Sequence, residues 1–208
     1  MALAKRLDRL GAVNLLLAGA GEQYVSTLVD DGINDTDLAQ QILDETTIEV
    51  LSAGWDFNKV KKTLYPDSTG KIAISTNYLR VEGTGDDYRR RFTVRGNYLY
   101  DLDNDTNLFT ETSVDLLVVQ NLEFGDIPSP FQFYIARMSA VTYQAQTRAD
   151  PDQDQILRVM ADQAMQQARK YNSKAGNRSW IHDSRSTSRL IGERRVNYAD
   201  DYSNSRPI

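Results

Sequence analysis

The hydrophobic rhythm of the chain changes twice, and those two changes limit what it can fold into. Up to Gly54 apolar residues recur every three or four positions, from Trp55 they recur every second one, and beyond residue 127 the wider spacing returns. A period near 3.6 marks a helix with one buried face, and a period of 2 marks a strand. Helices, strands and helices again predict an α+β protein. The expected layout is a four-helix bundle from residues 1–54 and 128–175, a small antiparallel β-sheet inserted at 55–127, and an extended C-terminal arm at 176–208.

Leu3, Leu7, Leu10, Val13 and Leu17 predict a first helix that stops in "AGAG", where Gly19 or Gly21 can take the left-handed cap. After the connector "EQYVSTLVDDGIND", Asn34 or Asp35 can cap a second helix whose Ala39, Ile42, Leu43, Thr46, Val50 and Ala53 trace one face. Strands are predicted in "WDFNKVKKTLY", "KIAIS", "YLRVEG", "RRFTVRGNYLYD" and "SVDLLVVQNL", with hairpin chemistry in "PDSTG", "GTGDD" and "RGN". Ser129 is the expected cap of a third helix, with Pro130 in its first turn and Phe131, Ile135, Met138, Thr142 and Ala145 along its apolar side. Asp150 and Pro151 open a fourth helix, where Ile156, Met160, Ala164, Ala168 and Tyr171 give the stripe. Trp55 and Phe57 fall where the period changes, so they are expected to be buried as a structural joint between bundle and sheet.

Composition removes most catalytic chemistry. With no cysteine there is no disulfide, thiolate metal site or cysteine nucleophile, and the single histidine, His182, lies in the polar tail, which gives a relay no rigid support. The longest apolar run, "AVNLLLAGAG", is too short to cross a bilayer, and Lys5, Arg6, Asp8 and Arg9 interrupt the N-terminal pattern, so neither a membrane span nor a secretory leader is expected. "GAGEQYVS" lacks the lysine and preceding strand of a phosphate loop. In "DLDNDTNLFTET", Asp101, Asp103 and Asp105 have calcium-loop spacing, but Thr106 replaces the required glycine and Thr112 the bidentate glutamate. A solvated loop is the expectation there, with no metal and no cofactor.

Two alternatives stay open on the residues alone. Glu82, Asp86, Asp87 and Glu111 could supply a carboxylate pair for polysaccharide hydrolysis, since such a pair need meet only in space. Arg89, Arg90 and Arg91 could contact DNA, and "YRRRFTVRG" alternates so that Phe92 and Val94 would pack inward and Arg91, Thr93 and Arg95 face out. Against a broad nucleic-acid face stands the charge: the chain carries a net −5, while residues 175 to 208 hold six arginines against four acids, so the body is acidic and the tail mildly basic.

The order "AVNLLLAGAGEQYVSTL", "DLAQQILDETTIEVLSAGWDFN", strands, then "IPSPFQFYIARMSAVTYQ" resembles the tail tubular protein A family of short-tailed phages, the head-to-tail adaptor also called a gatekeeper. The likeness runs over about residues 10 to 172, with the "GWDFN" joint and the "AVN" to "VSTL" segment as its most specific parts. It implies a structural virion protein, not an enzyme, located in the tail at the head-to-tail interface and assembled in the host cytoplasm. Its implied partners are the portal protein, the tail nozzle protein of the tail tubular protein B type, tail fibre protein, and further copies of itself in a dodecameric ring. DNA would pass through the lumen without sequence-specific binding. The tail adds an expectation of its own: Trp180, Ile181, Arg185, Arg189, Leu190, Ile191, Arg194, Arg195, Tyr198 and Tyr202 are aromatic, aliphatic and arginine anchors on a strand with too few regular apolar positions to fold alone, the composition of a docking arm.

Overall fold

The computed structural model describes residues 6–28 and 34–183, and of residue 34 and residues 175–183 the backbone alone. The chain falls into two compact units, residues 1–168 and 169–208. Among the described residues are four α-helices, α1 (Arg9–Gly19), α2 (Asn34–Ser52), α3 (Ser129–Thr147) and α4 (Pro151–Asp183). Five strands lie between α2 and α3: β1 (Lys59–Leu64), β2 (Tyr78–Gly83), β3 (Phe92–Arg95), β4 (Tyr98–Asp101) and β5 (Val114–Gln120). The fold is α+β with small antiparallel sheets.

In the first unit α1, α2 and α3 pack on one another around Ala12, Val13, Leu16, Leu17, Ile42, Leu43, Leu51, Phe131 and Ile135, all essentially out of solvent. Gly19 lies at a close approach of three helices: a Cβ there would stand 3.3 Å from Ala140 of α3 and 3.4 Å from Leu157 of α4, so an added methyl would press them slightly apart. Gly21, at φ +73°, supplies the left-handed residue after α1, and Gly54, also at +73°, does so after α2. Asp150 caps α4 by accepting the N–H groups of Asp152 and Gln153.

Several details depart from the sequence expectations. The buried stripe of α4 is Leu157, Ala161, Ala164 and Ala168, whereas Ile156 and Met160 are 50% and 41% exposed and Tyr171, in the second unit, is also exposed. Two stripes one residue apart compete on this helix, and the one carrying small residues allows the closer approach. On α3 the buried face drifts likewise to Gln132, Ala136, Ser139, Ala140, Tyr143 and Gln144, leaving Thr142 and Ala145 exposed. Pro128, not Ser129, stands at the N-cap of α3, and no side chain caps it. In the second unit α4 continues to Asp183, so residues 176–183 of the expected arm are helical, with no proline to end the helix sooner.

The inserted strands form two sheets rather than one: a three-stranded sheet in the order β1-β5-β2 and the β3–β4 hairpin. Gly96, at φ +59°, turns that hairpin as its "RGN" sequence predicts. "KIAIS" is not a strand. It makes a single bridge from Ala73 to Tyr98 while Ile72 and Ile74 bury their side chains with Val81, Phe92, Leu99, Phe109, Val114, Leu116 and Val118 in a second core. "GTGDD" is a 3-10 turn rather than a hairpin, because β2 pairs with β5, more than thirty residues later. Val94 is exposed rather than inward.

Candidate functional site: the helix–strand joint and the exposed faces

Trp55 and Phe57 both pack, tilted, against one ring, each with its centroid 4.7 Å from that of Phe131 at the start of α3. Both are half-buried against the helical core, together with Leu79 of β2 and Leu122 beyond β5. A β-bulge between Tyr78 and Arg80 accompanies the placement of Leu79 on that core while its neighbour Tyr78 packs on the sheet core. The Trp55 indole N–H donates to the Val50 carbonyl at 2.8 Å, so the polar end of the ring is satisfied by the last turn of α2.

The side chain that ties this corner together is Asn58, which is fully buried. Its Oδ1 accepts the Trp55 backbone N–H at 2.7 Å, and its Nδ2 donates to the Leu51 carbonyl of α2 and the Gln120 carbonyl of β5, both at 2.9 Å. One asparagine thus fixes helix end, turn and central strand. Glycine suits position 54 beside it because its φ is +73°, a left-handed conformation that side chains strain, and a Cβ would also displace the mobile ends of Arg80 and Lys59.

The N-terminal motif is stapled in the same way. Asn14 of α1 accepts the Val25 N–H at 2.8 Å and donates to the Val25 carbonyl at 3.0 Å, so the connector after α1 pairs with a side chain as it would with a strand. Glu22 accepts the Tyr143 hydroxyl at 2.5 Å. Burial pushes that phenol's pKa up and Glu22 raises it further, which keeps the proton on tyrosine as the donor of this bond. Sequence reasoning missed Asn14, Glu22 and Asn58. The signal available was a polar residue on an otherwise buried helix face or directly after an aromatic pair.

The acidic loop is largely exposed, as expected, but it is pinned at its first residue. Asp101 is fully buried and accepts from the N–H groups of Asp103 and Asn104, from the Asn104 amide, and from Arg90 at 2.5 Å. Burial alone would raise its pKa, yet Arg90 and the Asn104 contacts outweigh it and hold the carboxyl at about 2. Arg90 Nη1 also lies 3.0 Å from Asp87 and 2.9 Å from Glu111, so those two candidate hydrolytic acids share one guanidinium nitrogen, which fills the space between them. Glu82 pairs with Arg80 at 2.9 Å, and Asp86 lies in the 3-10 turn. Among the arginines of the DNA-binding alternative, Arg90 is locked inside this network, Arg91 pairs with Asp103 at 2.7 Å, and Arg89 lies over the Tyr88 ring. They offer no continuous basic track.

Trp180 and Ile181 fall within α4, where only the backbone is described. Arg185, Arg189, Leu190, Ile191, Arg194, Arg195, Tyr198 and Tyr202 lie outside the described residues. Among the described residues no group of three or more histidine, aspartate or glutamate side chains could hold a metal, and no helix is long and apolar enough to cross a membrane. On α4 Ile156, Val159 and Met160 form an exposed apolar line at helical spacing. Arg137 of α3 reaches the Met160 carbonyl at 3.3 Å, and Phe133, one turn before Arg137, is also exposed.

The sequence of residues 10–178, which contains the joint, both staples and both sheets, matches the family model of tail tubular proteins. The chain belongs to the tail tubular protein family. Tail tubular protein A of Klebsiella phage KP34 is 31% identical over 130 residues, which span 62% of this chain and 68% of that protein. The family is structural and not enzymatic, and it places the chain in the virion tail of a bacteriophage.

Proposed function

We propose that the chain is the head-to-tail adaptor, or gatekeeper, of a short-tailed phage: a dodecameric ring between the portal protein and the tail nozzle protein that surrounds the DNA exit channel and supports tail fibre attachment. The observation that carries this reading is the family match, which covers helices and sheets alike. A net charge of −5 suits a channel wall along which DNA slides without sticking. The four helices, from residues 1–54 and 128–175, act as one bundle that builds the ring; residues 55–127 project from it, and residues 176–208 form the docking arm, assembled with portal in the host cytoplasm.

Rings close by a heterologous contact, one face of a copy meeting a different face of the next. The half-exposed line of Ile156, Val159 and Met160 is the seam this reading selects, because large apolar side chains at helical spacing are otherwise costly to leave wet. Class averages of the complex with portal protein test it by electron microscopy. Twelvefold rings that vanish in Met160→Glu are expected, and rings of another order, or rings indifferent to that substitution, overturn it.

A further inference from the structure

β1 is an edge strand of its sheet: it pairs with β5 alone, and among the described residues no strand pairs with its outer side, while β2, the other edge, lies near β3 of the hairpin. Half the backbone N–H and C=O groups of such a strand point away from the sheet. Along it run Lys59, Lys61 and Lys62, with Tyr65, 67% exposed, just past its end. The five arginines between residues 80 and 95 each have a carboxylate or an aromatic ring against them. No such partner meets the three lysines among the described residues, although the chain as a whole is acidic.

We propose that the open edge of β1 is a docking strip for an extended acidic segment of another protein, added as a fourth strand beside β1 with its carboxylates over Lys61 and Lys62. A partner strand satisfies the outward backbone groups, and acidic side chains on both of its faces match Lys59 and Lys61 on one face of β1 and Lys62 on the other. Lysine on an edge commonly serves to repel other strands. An acidic strand is the class of partner which that guard admits. Duplex DNA fits less well, because it offers nothing to the backbone row and three lysines make too short a track. The proposal goes beyond the adaptor reading and stands whether or not the chain forms a ring.

The test uses the full chain and a fluorescent peptide of glutamate pairs separated by single valines, which carries carboxylates on both faces of a strand, followed by anisotropy at low salt and by hydrogen exchange of the β1 amides. Binding should protect those amides, and K61E/K62E should weaken it about tenfold. Should the charge reversal disturb folding, K61Q/K62Q keeps chain length and must still weaken binding. A peptide N-methylated at alternate amides should bind about tenfold less well, having lost its ladder donors. Failure of the peptide to bind, equal binding by the methylated peptide, unchanged affinity in K61Q/K62Q, or displacement by duplex DNA would each overturn the proposal.

Discussion

Asn58→Ala removes three hydrogen bonds from the corner between α2 and β1 and leaves their partners buried. The losses are unequal. The Leu51 carbonyl still accepts the Gly54 N–H at 3.0 Å, so it keeps one partner, while the Trp55 N–H has no other described acceptor. One abandoned donor costs about 1–3 kcal/mol, the weakened carbonyls and the cavity add to it, and the sum is about 3 kcal/mol. With a urea slope of about 2 kcal/mol per molar, the unfolding midpoint should fall by about 1.5 M. Tryptophan fluorescence reads the transition directly, because Trp55 sits in the corner. Asn58→Asp keeps the acceptor for Trp55 but loses both donors and buries a charge, so it should be no milder at neutral pH. A loss below about 1 kcal/mol in Asn58→Ala, the size of a surface change, would refute the view that this residue holds helix and sheet together.

Phe131→Ala empties the space shared by Trp55 and Phe57 and should cost about 3–5 kcal/mol in urea denaturation, while exposed Phe133→Ala should stay within about 0.5 kcal/mol. Gly54→Ala forces a side chain into a left-handed residue and against Arg80 and Lys59, and a loss of about 1–3 kcal/mol is expected in the same assay. Asp101 titrates at about 2 instead of 3.8, so its stabilisation is present above the unfolded pKa and is lost as pH falls through the folded one. That contribution is on the order of 2 kcal/mol, and Asp101→Asn should lose stability at neutral pH yet show a flatter acid limb between about pH 4 and pH 2 than the parent. Removing residues 176–208 should abolish assembly onto portal protein while thermal unfolding stays cooperative, and unchanged assembly on gel filtration would remove the docking arm from the account.

What the sequence displayed well was local. The face of α2 from Ala39 to Val50, the stop at Gly54 and the turn at Gly96 are each set within a few residues and stand as their patterns predict, except that Ala53, the last expected residue of the face, is exposed past the helix end at Ser52. Failures came where distant partners decide. Leu157 rather than Ile156 is buried because Gly19 of α1 leaves a gap there, which no periodicity on α4 can reveal. The order β1-β5-β2 joins strands some fifty residues apart, and it turned an expected hairpin at "GTGDD" into a 3-10 turn. Asp101 looked like one more solvated acid until Arg90 was seen to close over it. At the corner Trp55 and Phe57 are half-buried where burial was expected, and Asn58, which does the fastening, reads in sequence as an ordinary turn residue.

The most direct test of the adaptor reading is the mass of the purified chain by light scattering after gel filtration, alone and mixed with the portal protein of its own phage. The account predicts that the chain joins portal in one large closed complex whose mass corresponds to twelve copies. A chain that never co-elutes with portal, at any mixing ratio, would contradict it.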